Sequence, residues 1–204
     1  MDSYLDTLFC DRFGAFAAVD PDDTQTAICF CYPTTDGFRV VDLVGGGAAQ
    51  EGVAWGSVTG ALSWLRGASE DRPTDEAAPT LVVEAQAFVG AHSDAVEGCR
   101  RARWHWDAAA ELVGWARVHV FPADWQGAFV PAGSPWRVEA GEGSGAVKRA
   151  YQLRAREMDP RATNEDRCAA LGIAWWYARS IGSTLLPTNT ANMKGTAGKP
   201  SRLS

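Results

Sequence analysis

The first third of the chain consists of apolar runs separated by turn signals, a pattern typical of short β-strands. Residues 15–19 are all apolar, larger and smaller apolar side chains alternate in the run 26–32, and residues 38–44 form a third run. The Asp-Gly pair at 36–37 lies between the second and third runs and is a strong hairpin signal. The pattern therefore predicts three strands, paired antiparallel in sequence order.

Helical patterns dominate the rest of the chain. Four such segments follow the glycine run at 45–47, and they cover residues 48–65, 93–113, 146–158 and 163–181. Two short apolar or alternating runs between them, at 80–84 and 115–121, predict strands. The polar segment 66–79 and the Gly- and Pro-rich segment 127–146 predict loops, the second of them mobile.

The order of these elements predicts an α/β fold with one mixed five-stranded sheet. Three antiparallel strands come first, and two later strands join in parallel through crossover helices, which places helices on both faces. A length of 204 residues and an apolar content of 46% suit one domain with a sizeable core. We expect a lead-in at 1–14, the folded domain at 15–181 and a flexible basic tail at 182–204.

The composition indicates the cellular setting. The sequence has no run of 18 apolar residues, so no membrane span is expected. The acidic N-terminus lacks the basic start of a signal peptide. The five cysteines are an odd number, and Cys29 and Cys31 share one face of a predicted strand, where they are poor disulfide partners. These features favour a reducing, cytoplasmic setting.

The charge of the chain is divided unevenly. The net charge is −6, but residues 1–99 contain 4 basic and 16 acidic residues, a balance of −12, and residues 100–204 contain 15 and 9, a balance of +6. The overall charge argues weakly against nucleic-acid binding, whereas the asymmetry is consistent with a local basic face that contacts phosphates. Solvated helix faces explain the asymmetry equally well.

Three carboxylates stand where predicted elements begin or end: Asp20, Glu84 and Asp166. Each has a structural alternative, namely an Asx-type turn for Asp20, an exposed strand end for Glu84, and a favourable interaction with the helix dipole for Asp166, which also stands three residues after the predicted cap Thr163. Carboxylates at the edges of buried elements converge readily in a folded sheet, and three of them make an oxygen-rich site for a hard cation such as Mg²⁺. The set therefore points to metal-assisted phosphodiester chemistry.

The order of the acids and of the elements resembles that of the RuvC-type Holliday junction resolvases, especially their phage-like members, which have the RNase H-like fold. Four short segments between residues 15 and 178 carry the resemblance: Val19-Asp20-Pro21, Val82-Val83-Glu84-Ala85-Gln86, Val120-Phe121-Pro122 with Trp125, and Asn164-Glu165-Asp166. Two positions depart from it. Asp22 replaces a glycine that is usual in the family, and Ala169 stands where the last helix usually carries a second Asp. Glu165 is the substitute acid that the sequence offers.

The resemblance implies a Mg²⁺-dependent endonuclease that resolves Holliday junctions or other branched DNA by two-metal hydrolysis. Two Mg²⁺ ions, for which Mn²⁺ can substitute, would be held by Asp20, Glu84 and Asp166, with Glu165 as a further ligand. Lys148 stands where such proteins often place a catalytic-site lysine, and it completes the catalytic set. The expected partners are branched DNA and a second copy of the chain, in a homodimer that cuts two strands symmetrically. The expected location is the cytoplasm of a bacterium or of a phage host.

Two groups of basic residues are candidates for contacts with DNA phosphates. They are Lys148, Arg149, Arg154 and Arg156 on the predicted basic helix, and Arg100, Arg101 and Arg103 on the preceding long helix. The structural alternative for both groups is a solvated helix face. Phe88 follows Glu84 closely and can either stack on an unpaired base at a junction or pack in the core.

The main alternative function is a catalytically inactive RNase H-like module that binds DNA or serves as a structural or assembly factor. Ala169 favours this alternative, because it removes the expected fourth acid. A zinc site is not expected, since His92, His105 and His119 are dispersed and lack metal-binding Cys spacing. The nine tryptophans mostly lie in helix or strand patterns and are predicted to be core residues.

Overall fold

Five strands of the described chain form a mixed sheet. The computed structural model describes residues 14–22, 25–46, 56–70, 77–85 and 94–183. The strands are β1 (Phe16–Asp20), β2 (Ala27–Thr34), β3 (Gly37–Gly45), β4 (Thr80–Glu84) and β5 (Ala116–Val120). Their order across the sheet is β3-β2-β1-β4-β5. β1 pairs antiparallel with β2, which pairs antiparallel with β3, whereas β4 lies parallel to both β1 and β5. The predicted mixed α/β sheet is confirmed.

Six helices follow or connect these strands within the described residues. They are α1 (Val58–Glu70), α2 (Asp94–Val113), α3 (Pro122–Phe129), α4 (Pro135–Ala140), α5 (Ala146–Met158) and α6 (Glu165–Ser183). The crossovers from β1 to β4 and from β4 to β5 contain α1 and α2, as parallel pairing requires.

Helices cover both faces of the sheet, and strand alternation divides the core in two. Along β1, Ala17 and Val19 belong to the core shared with α1 and α2, whereas Phe16 and Ala18 belong to the core shared with α3, α5 and α6. The long helix α6 contacts β1, β2 and β3 and closes the second face. Alternate positions along β1 therefore direct their side chains to different helical layers.

The segment 127–146 is not the mobile loop that its Gly and Pro content predicts. It contains the end of α3, all of α4 and the first residue of α5. Pro135 occupies the first turn of α4, where its missing N–H removes no helical hydrogen bond. Gly141 and Gly145 have φ values of 71° and 84° and flank the turn between α4 and α5. Glycine and proline here mark helix ends rather than disorder.

The helix predicted over residues 48–65 ends later than expected. Residues 47–55 lie outside the described chain, and α1 continues through part of the predicted polar loop to Glu70. Ser69 belongs to this extension: its hydroxyl donates to the Leu65 carbonyl oxygen at 2.7 Å and accepts from Trp115 Nε1 at 2.9 Å. The part of α1 that lies beyond the predicted helix thus makes a tertiary hydrogen bond, from Trp115 to Ser69.

The last helix has a different cap from the predicted one. The Asn164 side-chain oxygen accepts a hydrogen bond from the backbone N–H of Arg167 at 2.9 Å, so Asn164 rather than Thr163 caps α6. The helix then runs to Ser183, past the predicted domain end at 181. The domain boundaries stay a prediction, and residues 1–13 and 184–204 lie outside the described chain.

The structure also bears on the cysteine pair of β2 and on membrane-spanning helices. Cys29 and Cys31 are buried free thiols, with their sulfur atoms 3.4 Å apart on one face of β2. Among the helices that the structure describes, none has the length and apolar character needed to cross a membrane.

Candidate active site

The strand register places Asp20 beside Glu84. Parallel pairing of β1 with β4 aligns Val19 with Val83, and the next residue of each strand is the acid. Each acid is also the last residue of its strand. Adjacent strands lie roughly 5 Å apart, so the two acids are neighbours at the same edge of the sheet.

Both acids also face the same helical layer. Ala18 and Val82 belong to the core under α6, and Asp20 and Glu84 come two residues after them. Because side chains two residues apart along a strand share a face, both carboxylates project toward the start of α6. The alternation of side chains along β1 and β4 therefore places both acids on the face of the sheet that α6, with Asp166, covers.

The electrostatics of Asp20 show that other acids surround it. Its pKa is raised well above the usual value, first by burial and then by the nearby carboxylates of Glu84, Asp166, Asp22 and Glu165. Like charges disfavour ionisation of a neighbour, and a bound cation would relieve that repulsion. The structure thus brings together Asp20, Glu84 and Asp166 as well as Glu165.

Glu84 is almost fully enclosed. Its exposed fraction is 6%, and burial raises its pKa to about 7. Trp125 Nε1 donates a hydrogen bond to Glu84 Oε2 at 2.6 Å and acts in the opposite direction, because it stabilises the ionised carboxylate. Glu84 is therefore a buried acid, and one of its carboxylate oxygens already accepts a hydrogen bond from Trp125.

The start of α6 is fixed to the far edge strand β3. The guanidinium of Arg167 donates to the Gly45 carbonyl oxygen at 2.7 Å, and that of Arg161 donates to the carbonyl oxygens of Val41 and Val40 at 3.2 and 3.4 Å. These contacts join two segments that lie far apart in the sequence. They set the position of the first helical turn, which contains Asp166.

Lys148 reaches the same place from α5. Its ammonium forms an ion pair with the Glu165 carboxylate at the first residue of α6. Both side chains are partly exposed, with 49% and 42% of their surfaces accessible. A surface pair of this kind contributes little stability and can exchange partners, so Lys148 is available to an incoming anion.

Asp22 occupies a turn just after β1. Its Oδ1 accepts the backbone N–H of Gln25 at 3.0 Å, and its own N–H donates to Thr26 Oγ1 at 3.1 Å. Oδ2 accepts a weak bond from the Cys99 thiol at 3.8 Å. These contacts tie Asp22 to the residues just before β2, and its carboxylate adds negative charge near Asp20.

Tyr151 is a neighbour of the acids that the sequence did not single out. Its ring packs against Trp125 with centroids 5.2 Å apart, and its pKa is raised by burial and by the charges of Glu165, Asp20 and Glu84. The available signal was its position three residues after Lys148, which puts both side chains on one face of α5. Only the packing of α5 shows that this face meets the acids.

The arginines of α5 lie in different environments. The guanidinium of Arg149 donates to the carbonyl oxygens of Ala140 and Glu142 at 3.0 and 3.1 Å, which braces the turn after α4. Arg156 is exposed and interacts with the thiol of Cys168. Their contacts with DNA stay predictions.

Arg154 lies inside an aromatic cluster. Its guanidinium carbon is 4.6, 4.6 and 4.5 Å from the ring centroids of Phe129, Trp136 and Trp175, and the group also donates to the Phe129 carbonyl oxygen. These contacts give Arg154 a packing role between α3, α4, α5 and α6. Its predicted contact with DNA is not favoured by this position.

The second basic group lies on α2. Arg100 pairs with Glu97 at 3.4 Å and stacks over Trp104 at 5.6 Å, and Arg103 lies 4.0 Å from Asp107. Arg101 is exposed on the same helix. Phe88 lies outside the described residues.

The position of the missing fourth acid is closed to solvent. Ala169 is buried in the core under the sheet, three residues after Asp166 along α6. Its methyl group packs among apolar neighbours and supplies no ligand atom. The oxygen donors near Asp20 therefore come from Glu84, Asp166, Asp22 and Glu165.

The donor chemistry fits a hard divalent cation, because carboxylate oxygens are the ligands that Mg²⁺ and Mn²⁺ prefer. Burial raises the pKa of Asp20 most, and the neighbouring carboxylates raise it further; their negative charge is what such a cation would neutralise. In the described part of the chain, no group of three or more His, Cys, Asp or Glu side chains has a geometry that could hold a metal ion. The site thus has the charge and the donor type that suit a divalent cation, but not the arrangement of a formed metal centre.

Comparisons with known proteins support the fold. No family model matches the chain, and no curated protein matches it. Thermus thermophilus RuvC, solved in complex with a Holliday junction substrate, superposes with a TM-score of 0.58 at 16% identity, over 83% of this chain and 96% of RuvC. A second structure of Thermus thermophilus RuvC gives 0.55 at 20% identity, over 82% and 97%. The chain therefore has the RNase H-like fold of the RuvC Holliday junction resolvases.

Proposed function

We propose that this chain is a divalent-metal-dependent endonuclease that cuts Holliday junctions or other branched DNA. One observation carries the proposal: β1 and β4 pair in parallel and end in Asp20 and Glu84 on one face of the sheet, toward the first turn of α6 with its two acids. The likeness in fold to RuvC, solved with a Holliday junction, supports the choice of substrate.

Asp20, Glu84 and Asp166 would hold the metal, with Glu165 as a further ligand. Bound Mg²⁺, as two ions or with Mn²⁺ in its place, supplies an activated water and neutralises charge at the leaving 3′ oxygen. Asp20 lies between strand and helix acids and is the natural shared ligand, because four other carboxylates influence it. Burial of Glu84 and its hydrogen bond from Trp125 restrict the motion of its carboxylate.

Lys148 would act at the rim of the site. Its ion pair with Glu165 holds an ammonium beside the acids in the absence of DNA. A backbone phosphate is a competing anion, so Lys148 can turn to the phosphate and leave Glu165 free for the metal. In this role Lys148 orients the scissile phosphate and does not itself transfer a proton.

Exposed basic residues would bind the DNA arms. Arg156 on α5 and Arg101 on α2 are exposed, and Arg100 is half-exposed. Phosphate contacts of this kind position a duplex without reading its sequence. A homodimer acting in the cytoplasm would place two such sites on the two strands that must be cut.

An inactive DNA-binding module is the second candidate function. The buried Ala169 favours it, because no acid stands at that position of α6. Under this alternative, the acids that remain would bind a cation weakly or not at all, and junction binding would persist without cleavage.

The decisive experiment is cleavage of a four-way junction by wild-type protein and by Asp20→Asn, with Mg²⁺ or Mn²⁺. We expect wild-type protein to cut and Asp20→Asn to lose at least about 100-fold in rate while binding the junction normally. Asp36→Asn is the matched control, because Asp36 lies exposed in the hairpin turn between β2 and β3, where Asn-Gly serves as well as Asp-Gly. Wild-type protein that binds junctions but never cuts them with either metal would establish the inactive module.

A further inference from the structure

One tryptophan makes an unusual contact at the candidate site. Trp125, on α3, is 1% exposed, and its Nε1 donates to Glu84 Oε2 at 2.6 Å. Both partners are buried, so water does not compete for the bond, and the bond is charge-assisted once Glu84 ionises, as it must to hold a cation. The indole therefore fixes one oxygen of Glu84.

The indole ring is itself held rigidly. Gly172 of α6 lies so close that a Cβ there would be 2.5 Å from Trp125 Cζ3. Phe129 and Tyr151 pack against the same ring, with centroids 6.3 and 5.2 Å away. A ring enclosed on several sides cannot rotate without moving α6, so its N–H is aimed at Glu84 before any ligand arrives.

We propose that Trp125 is a positioning residue of this site, whose N–H holds one oxygen of Glu84 so that the other oxygen faces Asp20 and the divalent cation. The inference rests on the proposed function. An outer hydrogen-bond partner of a metal-binding carboxylate typically changes metal affinity by 10- to 100-fold, because it sets the orientation of the ligand in advance.

The chain contains a matched tryptophan–glutamate pair away from the acids. Trp136 Nε1 donates to Glu157 Oε2 at the same length, 2.6 Å, at the exposed side of α4 and α5. Trp136→Phe therefore removes the same kind of hydrogen bond without touching Glu84. Trp125→Phe keeps most of the ring volume while it removes the N–H.

The first test is Mn²⁺ binding to the full chain by calorimetry, without DNA. We expect Trp125→Phe to weaken Mn²⁺ binding by about tenfold or more and Trp136→Phe to leave it within about twofold of wild type. Junction cleavage by Trp125→Phe should need about tenfold more Mn²⁺ for half the maximal rate, with the rate at saturation largely retained. Unchanged Mn²⁺ affinity in Trp125→Phe would overturn the positioning role, whereas a wild-type chain that binds no Mn²⁺ would overturn the proposed function as well.

A second measurement on wild-type protein covers the case in which Trp125→Phe does not fold. In the ¹⁵N-indole NMR spectrum, the Trp125 resonance is identified as the signal that moves in Glu84→Gln, and the Trp136 resonance as the signal missing in Trp136→Phe. Added Mg²⁺ should shift the Trp125 signal and leave the Trp136 signal in place. If Mg²⁺ shifts other signals but not that of Trp125, the inference is wrong.

Discussion

At the scale of single residues, Glu84 combines burial with a carboxyl group that must ionise to bind a cation. Burial raises its pKa to about 7 from an ordinary value of 4.5. The folded protein therefore keeps a proton that the unfolded chain has already released, and folding stability declines as the pH rises from about 4.5 through about 7. Since one pKa unit corresponds to about 1.4 kcal/mol, the metal-free protein should lose on the order of 3 kcal/mol between these limits.

Denaturant unfolding in the presence of a chelator measures this loss. We expect wild-type protein to be less stable at pH 8 than at pH 5, and Glu84→Gln to show a flatter profile and higher stability than wild type at pH 8. Glu157→Gln should keep the wild-type profile, because Glu157 is bonded to a tryptophan at an exposed position. Equal pH dependence in wild type and Glu84→Gln would contradict the assignment of the effect to Glu84.

Some residues of the candidate site can be recognised from the sequence, and others cannot. Asp20, Glu84 and Asp166 are recognisable, because each is an acid at the boundary of an apolar run. Trp125 and Tyr151 lie in helices, and nothing in the sequence around them shows that they contact the acids. Their relation to the site arises from packing between α3, α5 and α6.

At the scale of elements, the contact between α3 and α6 depends on a glycine in the middle of a helix. Gly172 lies in α6, where a Cβ would stand 2.5 Å from the Trp125 ring and 3.2 Å from Phe129. Glycine normally weakens a helix interior by roughly 0.5–1 kcal/mol relative to alanine, so its presence here reflects the close approach of the aromatic rings.

The prediction at this scale compares two glycine-to-alanine changes. Gly172→Ala should destabilise the fold by about 1–3 kcal/mol, because the new methyl group overpacks the core. Gly67→Ala, at an exposed position of α1 where an added Cβ meets nothing within 4 Å, should stabilise the fold by about 0.5–1 kcal/mol. Thermal and denaturant unfolding of both variants check the pair, and a neutral or stabilising Gly172→Ala would show that the helices separate easily.

The Gly- and Pro-rich segment illustrates why composition misled the prediction of elements. Segment 127–146 predicts a loop, yet the aromatic cluster around Arg154 fixes α4 against α5 and α6. Glycine and proline frequencies cannot distinguish a mobile loop from short helices joined by tight turns. The tertiary contact of one guanidinium with rings from three helices is not visible in the local sequence.

At the scale of the whole molecule, the net charge of −6 and the proposed binding of DNA require charges to be distributed unevenly. A protein that binds through phosphates releases counterions, so its affinity falls steeply with salt. We expect the Kd for a four-way junction to rise at least about tenfold between 50 and 200 mM NaCl.

Lys148→Gln should lower the salt slope by about one, because it removes one phosphate contact. Arg39→Gln is a suitable control, since Arg39 is exposed near the beginning of β3, at the opposite end of the sheet from the acids. Binding measured by fluorescence anisotropy across a salt series gives both slopes. An affinity that does not change with salt would exclude a phosphate-based interface.

The sequence by itself determined the order of the five strands, four of the six described helices and the mixed sheet, and it singled out the three principal acids. These features follow from periodicity and from acids next to apolar runs, which are local properties of the chain. Even the shared face of Asp20 and Glu84 follows from strand parity once β1 and β4 are paired.

Only the tertiary structure showed three further groups beside those acids. It placed Asp22 and Tyr151 near them, and it joined Trp125 to Glu84. The physical reason is that helix packing depends on the shapes of many side chains at once, as Gly172 under the indole shows. The local pattern specifies which face of a helix is apolar, whereas close packing specifies what that face touches.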